Sequence, residues 1–391
     1  MQIKHCTVFA CAFDVFSCLV FFYLENDLTV REFFLFQGIF YLTSFLAEIP
    51  VGYFADNVSK KNCLIFSFVI FMLINCIWLS FRGAYFVLIG EILFAISKVI
   101  MDNVVAGYLY DYLSSKSIQQ QMVKYYGYTN FYLSAGTVLA SLFGTYIYSN
   151  FGFSAVFFGE IMLITVSIIL VCLLPQIETY KKIKHSLKEK FHDFIETSTS
   201  FYKQDKIKYY VLYSGLLTSY SILFSLSFQH LMQNALLPIV FFGIVAFLNH
   251  GIRAVASIFA SKIAHLIKIK QMIIPLFIMY ILAFIFIFTI ANIKNFSMII
   301  FLIFLICVII GFQLLFTICH ISRLHKFVNT DDRGKIMMFN NLFSKILVSI
   351  VLISNIFIAK LGFINYYIIA FIVMVFACFF ITKNLLKVKE D

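Results

Sequence analysis

Twelve stretches of this 391-residue chain run for roughly 20 residues with few charges, the length a helix needs to cross about 30 Å of hydrocarbon. They fall at approximately 5–24, 33–55, 63–81, 84–110, 124–148, 153–175, 209–232, 238–264, 271–292, 296–320, 335–359 and 363–383. The runs are continuous rather than alternating, which excludes spanning strands and leaves helices to satisfy the backbone in lipid. Composition agrees. Only 13% of residues are charged and the mean hydropathy is +0.95, where a soluble domain carries about a quarter charged residues. The first run lacks a small-residue cleavage site and is followed by many like it, so it reads as a retained span rather than a signal peptide.

The basic residues give the orientation. With the N-terminus inside, 23 of the 30 Lys and Arg fall in inner segments and four (Arg31, Arg82, Lys294, Lys360) in outer loops; Lys98, Arg253 and Lys345 lie within spans. One missed span would reverse every later loop, so this asymmetry supports the count of twelve and predicts a multi-pass protein of the cell (inner or plasma) membrane with both termini cytoplasmic. The formal charge of +11 is thereby a topology signal, and no nucleic-acid partner is expected. The nine cysteines include no C-x-x-C pair and most lie within apolar runs, so they read as small buried hydrophobes rather than disulfides or metal ligands.

The longest polar break, 176–208, follows the sixth span and carries eight Lys against five acids. Ile183, Leu187, Phe191, Phe194 and Ile195 recur there at helical spacing, which predicts an amphipathic linker helix on the inner membrane surface. The expected organisation is an N-terminal six-helix half (1–175), a cytoplasmic amphipathic linker (176–208) and a C-terminal six-helix half (209–391). A weak internal repeat supports two halves of parallel topology: shifted by 208 positions, Ala260, Ala264 and Lys268 fall on Gly52, Asp56 and Lys60.

The loop between spans two and three reads G-Y-F-A-D-N-V-S-K-K from Gly52 to Lys61. This pattern resembles the signature of the major facilitator superfamily, usually G-x-x-x-D-R-x-G-R-R. The preceding Ala47-Glu48-Ile49-Pro50-Val51, and Leu109-Tyr110-Asp111-Tyr112-Leu113 ending span four, are similar to bacterial drug-efflux members, and Asp332-Arg333 resembles the cation-bearing inner loop of the second half. The resemblance implies an all-α fold of twelve transmembrane helices in two six-helix halves. It further implies a secondary active transporter, with Gly52, Asp56, Lys60, Lys61 and Arg333 in a conformational lock that closes Asp56 against the start of span eleven. Asn57 stands where the motif has Arg and Ser59 where it has Gly. Span five carries Gly136, Ala140 and Gly144 without the proline of the antiporter signature; small residues four apart let helices pack closely.

An ionisable side chain in mid-bilayer costs at least ~2.5 kcal/mol, so each is a candidate functional residue. Asp14, Glu48, Lys98, Asp102, Arg253 and Lys345 lie about 8 to 13 residues deep, one layer at about 1.5 Å per residue, and carriers bind cargo at the midplane between halves. In span four, Glu91, Lys98 and Asp102 are spaced by seven and four and share a helix face. Lys98 and Asp102 either neutralise each other or, with Glu91, form a proton relay around the cation. Asp14 has no opposite charge in its own helix and is the first choice for proton coupling, ahead of Glu91 and Asp102. The resemblance implies that spans two and eleven adjoin, so that Glu48 and Lys345, which match in depth, form a gate pair, and Lys98 and Arg253 are the cations available to bind substrate. His230, His250 and His320 read as satisfied polar residues, and Trp78 as an interfacial anchor.

The expected function is proton-coupled, alternating-access export of a small drug-like or antibiotic-like compound by a single chain without cofactor, metal or enzymatic activity. The alternatives are import of a small anionic metabolite or a non-transporting receptor or scaffold. No G-x-x-x-x-G-K-[ST] loop occurs, which disfavours an ATP-driven pump.

Overall fold

The computed structural model describes residues 19–118, 122–177, 186–263, isolated positions and the run 297–309 between 278 and 309, 333–358, 377 and 379–384. Asp14, His320 and most of the repeat segment 260–270 lie outside them. The helices are α1 (Leu19–Glu25), α2 (Val30–Asn57), α3 (Lys60–Ser80), α4 (Ala84–Ser115), α5 (Met122–Cys172), α6 (Leu187–Lys203), α7 (Asp205–Asn234), α8 (Ile239–Ile263), α9 (Ser297–Ile309) and α10 (Arg333–Ile358). Six of the described helices are long and apolar enough to cross a membrane. One of them, α5, is two helices joined at Gly152, whose φ of 74° breaks the turn in the left-handed region that glycine occupies without strain.

The helices outrun the apolar stretches because their polar ends are capped. Thr29 opens α2 in a capping box with Glu32, and the Ser59 hydroxyl accepts from the Asn62 amide to open α3. Each cap satisfies a donor that would otherwise have no partner in the first turn. On the faces turned away from the protein, Phe66, Val69 and Leu73 of α3, and Phe158, Met162, Ile169 and Leu173 of α5, stand exposed at spacings of three, four or seven. Such stripes would be a liability in water and are the ordinary lipid-facing surface of a membrane protein.

The chain clusters into two compact units, Met1–Phe191 with Pro238–His250, and His192–Leu237 with Gly251–Asp391. In the first, α4 packs against both α2 and α3, and α3 against α5, around Val51, Cys63, Phe68, Ile100, Val104 and Ile164. Ser67 and Ser97 exchange hydroxyl-to-carbonyl hydrogen bonds of 3.1 and 2.9 Å between α3 and α4, the polar glue available to helices whose surroundings are as apolar as their side chains. Gly136, Ala140 and Gly144 are all buried. Beside them α8 approaches so closely that a Cβ on Gly243 would lie 2.0 Å from the Thr145 hydroxyl and 2.6 Å from the Ser141 carbonyl. In the second unit, α7 packs on α10 through Ser214 to Asn340 (2.6 Å) and Ser219 to the Ser344 carbonyl (3.1 Å).

Trp78 is not an interfacial anchor. It is 6% exposed and packs on Phe22 and Phe157, because Gly90 leaves a flat place for the indole: a Cβ there would lie 2.1 Å from Nε1.

Candidate functional site

Next to Gly90, Glu91 points into the protein and is 1% exposed. Its Oε1 accepts from the Tyr23 hydroxyl at 2.7 Å and from Gln37 Nε2 at 3.1 Å, and Gln37 also reaches the Tyr23 hydroxyl at 3.3 Å. Tyr23 and Gln37 are each 1% exposed. The short helix α1 is held in place for this by its end. Asn26 accepts from the Gly83 amide at 3.1 Å, and Glu25 accepts from Tyr148 at 2.8 Å and pairs with Arg82. Phe33 and Phe36 wall the Tyr23 ring.

The second oxygen, Glu91 Oε2, is buried and has no hydrogen-bond partner among the described residues. A carboxylate half satisfied in an apolar site is costly, and there are two ways to relieve it: a proton on the carboxyl, or a ligand donor reaching Oε2.

Sequence spacing puts Lys98 and Asp102 on the same face of α4 as Glu91, but the surroundings change along the helix. Tyr23 and Gln37 cover Glu91, whereas the side chains of Lys98 and Asp102 are about half exposed (49% and 54%). Lys98 Nζ donates to Asp102 Oδ1 at 2.7 Å, so these two charges pair with each other, and the donors on the Glu91 carboxyl oxygen are Tyr23 and Gln37. Glu48 is buried in α2 in the first unit, while Arg253 of α8 and Lys345 of α10 are half-buried in the second. His230 bonds Gln233 and Asn234 at 3.1 and 3.0 Å, a satisfied polar residue as expected.

The motif loop accounts for its polar groups one by one. Asn57, where the family motif has Arg, caps its own helix by donating to the Tyr53 carbonyl at 2.9 Å. Lys60 lies across Gly107, whose added Cβ would meet Lys60 Cε at 3.1 Å, to reach Asp111 at 2.5 Å. Lys61 donates to the Cys172 and Leu174 carbonyls at 2.7 and 2.8 Å, placing a cation where the last carbonyls of α5 have no helical partner and the helix dipole is negative. Tyr108 donates to the Pro175 carbonyl at 2.8 Å, closing the same junction.

Asp56 pairs with Lys190 of the linker helix α6, and Lys190 also approaches the Gly52 carbonyl at 3.5 Å. The expected partner was the start of span eleven; among the described residues the partner is the linker, whose first turn is ordered by a capping box between Ser186 and Glu189. Burial lowers the Lys190 ammonium from the ordinary lysine value. Arg333 opens α10, and its side chain lies outside the described residues.

Three participants, and one further buried acid, have weak or neglected signals in the sequence. Gln37 is a polar residue inside an apolar run and its position could have raised it. Glu160 is an acid inside span six, buried at 4% exposure, and the same reasoning that selected Glu48 should have included it. Tyr23 is one of 22 tyrosines and Lys190 one of eight linker lysines, and no spacing distinguishes either.

The fold has close counterparts. A mutant form of the nucleoside transporter NupG matches at 13% identity over 98% of both chains with a TM-score of 0.76. The D-xylose-proton symporter matches at 14% identity over 98% of this chain and 96% of its own, with a TM-score of 0.73. None of the curated proteins matches by sequence. The model of the Major Facilitator Superfamily matches residues 6–352, nearly the whole chain, and with the apolar helices and the 52–61 motif this makes the chain a multi-pass membrane protein belonging to the Major Facilitator Superfamily, a transporter and not an enzyme.

Proposed function

We propose that this chain is a proton-coupled secondary transporter in which Glu91 is a proton-carrying carboxyl. The observation that carries the reading is the asymmetry of that carboxyl: two donors on Oε1, and on the buried Oε2 no partner among the described residues. Protonation removes the charge when the site is closed; opening to water on one side releases the proton. Asp14 is proposed as a second coupling carboxyl in span one, and Asp102 is demoted to the structural partner of Lys98. Arg253 remains the proposed contact for an acidic group on the substrate, and Glu48 with Lys345 the proposed gate pair.

The proposed cargo is a small drug-like compound moved outward, on the resemblance of 47–51 and 109–113 to efflux carriers. The second reading is symport of a hydroxylated solute. It is favoured by the Tyr23, Gln37 and Glu91 cluster, whose hydroxyl, amide and carboxylate suit hydroxyl recognition, and by the neighbours named for nucleosides and D-xylose. Both readings place the lysine-rich side in the cytoplasm. In both, the Asp56 and Lys190 pair is a conformational latch between motif loop and linker.

Proteoliposomes with an imposed pH gradient separate the readings. A panel of lipophilic cations, nucleosides and pentoses is tested for uphill movement in wild type, Glu91→Gln and Asp14→Asn. Export against the gradient of a lipophilic compound supports the first reading, and co-transport of a hydroxylated solute with protons supports the second. Full proton-driven accumulation in Glu91→Gln sinks the coupling assignment. Asp56→Asn should slow transport with normal membrane insertion, and unchanged rates there count against the latch.

A further inference from the structure

The linker helix α6 leaves part of its apolar surface uncovered. Its inward side is held: Phe194 meets the Phe339 ring and Phe201 joins the core with Tyr210, Tyr213 and Ile381. On the next strip around the helix, Phe191, Ile195 and Tyr202 are 50%, 47% and 54% exposed and fall within about 40° of one another at ~100° per residue. Lys188 borders that strip, whereas the acids Glu189, Asp193 and Glu196 lie at least about 100° from it. Lys208 sits over the Tyr202 ring at 4.2 Å, which gives the far end of the strip a cation as well.

The depth of this strip follows from its anchor. Lys190 reaches the Gly52 carbonyl, five residues before the end of α2, or about 7–8 Å back along the helix. A helix of 28 residues is about 42 Å long against a hydrocarbon core of about 30 Å, so its final turns stand in the headgroup layer. Shared between the two ends of α2, that excess leaves Gly52 at the boundary of hydrocarbon and headgroups, so the first turn of α6, held there by Lys190, and the exposed Phe191 that follows it meet acyl chains rather than bulk water.

We infer that the 191/195/202 strip of α6 is an interfacial lipid-binding surface that selects anionic phospholipid headgroups. The apolar side chains enter the acyl boundary, and Lys188 and Lys208 meet the phosphates. A lysine near an anionic surface is drawn by its negative potential, and a zwitterionic surface offers no such attraction. The inference needs only the membrane topology and is independent of what the transporter carries.

The test uses the full chain in vesicles, with Ile195→Trp read against the wild type, whose only Trp, at position 78, is buried. Brominated phosphatidylglycerol should quench the added indole at least about twofold more than brominated phosphatidylcholine at equal mole fraction, and Lys188→Gln with Lys208→Gln should bring that ratio to about one. Equal quenching by both lipids overturns the headgroup selectivity. No quenching, with emission at the wavelength of either water or a protein interior, overturns the surface itself. Unchanged emission of Trp78 in the lysine variants made without the added indole shows that the fold is retained.

Discussion

Two polar regions of the first unit are built from the same kinds of residue and treat them in opposite ways. In the loop from Gly52 to Lys61, every charged group meets a partner: Asp56 meets Lys190, Lys60 meets Asp111, and Lys61 meets two helix-terminal carbonyls. At Glu91, farther from water and so more in need of partners, one carboxyl oxygen has two donors and the other has none among the described residues. A satisfied network fixes a structure, whereas a buried group left half satisfied gains from a proton or a ligand. The difference separates scaffold from chemistry where residue type alone does not.

The sharpest way to break the comparison is at Glu91 itself. Glu91→Gln keeps an acceptor for Tyr23 and removes the ionisable group. Uphill, gradient-driven accumulation in proteoliposomes should fall to background, with exchange of substrate down its own gradient retained. The corresponding change at the α4 partner of the loop, Asp111→Asn, should leave gradient-driven accumulation within about twofold, because a neutral amide still accepts from Lys60.

Gly90 comes next. Its absent Cβ is what admits Trp78 beside Glu91, and Gly90→Ala would put a methyl 2.1 Å from an indole already packed on Phe22 and Phe157. Overpacking of this kind costs about 1–3 kcal/mol. Transport should drop and detergent thermal stability with it. Gly107→Ala in the other region meets Lys60 at 3.1 Å, but the end of a lysine side chain can swing aside, so its thermal shift should be much smaller. Equal losses in the two variants would mean that the loop is as rigid as the Trp78 contact.

The scaffold half can be tested by charge exchange. The Lys60 and Asp111 side chains are 30% and 20% exposed, so removing one partner strands a partly buried charge at a cost of about 1–2 kcal/mol. Lys60→Ala should lower the apparent Tm, and Lys60→Asp combined with Asp111→Lys should recover part of the loss. A double variant worse than the sum of the singles would show that position, not pairing, sets the contribution.

The degree to which each region was legible in sequence follows from how local its determinants are. Helices α2, α3, α4, α7, α8 and α10 lie within a few residues of the expected spans, because in lipid a continuous apolar run has hardly any alternative to a helix. The caps at Thr29 and Ser59 and the pairing of Lys98 with Asp102 are likewise set over three or four residues. The partners of Glu91 and Asp56 are not: Tyr23 is 68 residues from Glu91, and Lys190 is far along the chain from Asp56. The residue at 57 shows the same limit from the other side. The family motif made its missing Arg conspicuous, but only the structure shows that Asn57 turns back to its own helix and that the neighbouring charge is met from the linker.

The smallest effect is expected at Lys98 and Asp102, and it bears on where the chemistry ends. The two charges are one helical turn apart, in contact, and about half exposed, and an ion pair of that kind contributes about 0–1 kcal/mol. Lys98→Gln with Asp102→Asn preserves the size of both side chains and removes both charges together, leaving neither one alone. Folding and gradient-driven transport should then stay near wild type, while Lys98→Gln alone, which takes from Asp102 the cation it pairs with, should do worse than the double variant. If the double variant loses proton coupling while Glu91→Gln keeps it, the roles are reversed: the half-exposed pair is the proton path, and the buried carboxyl beside Trp78 belongs to the scaffold.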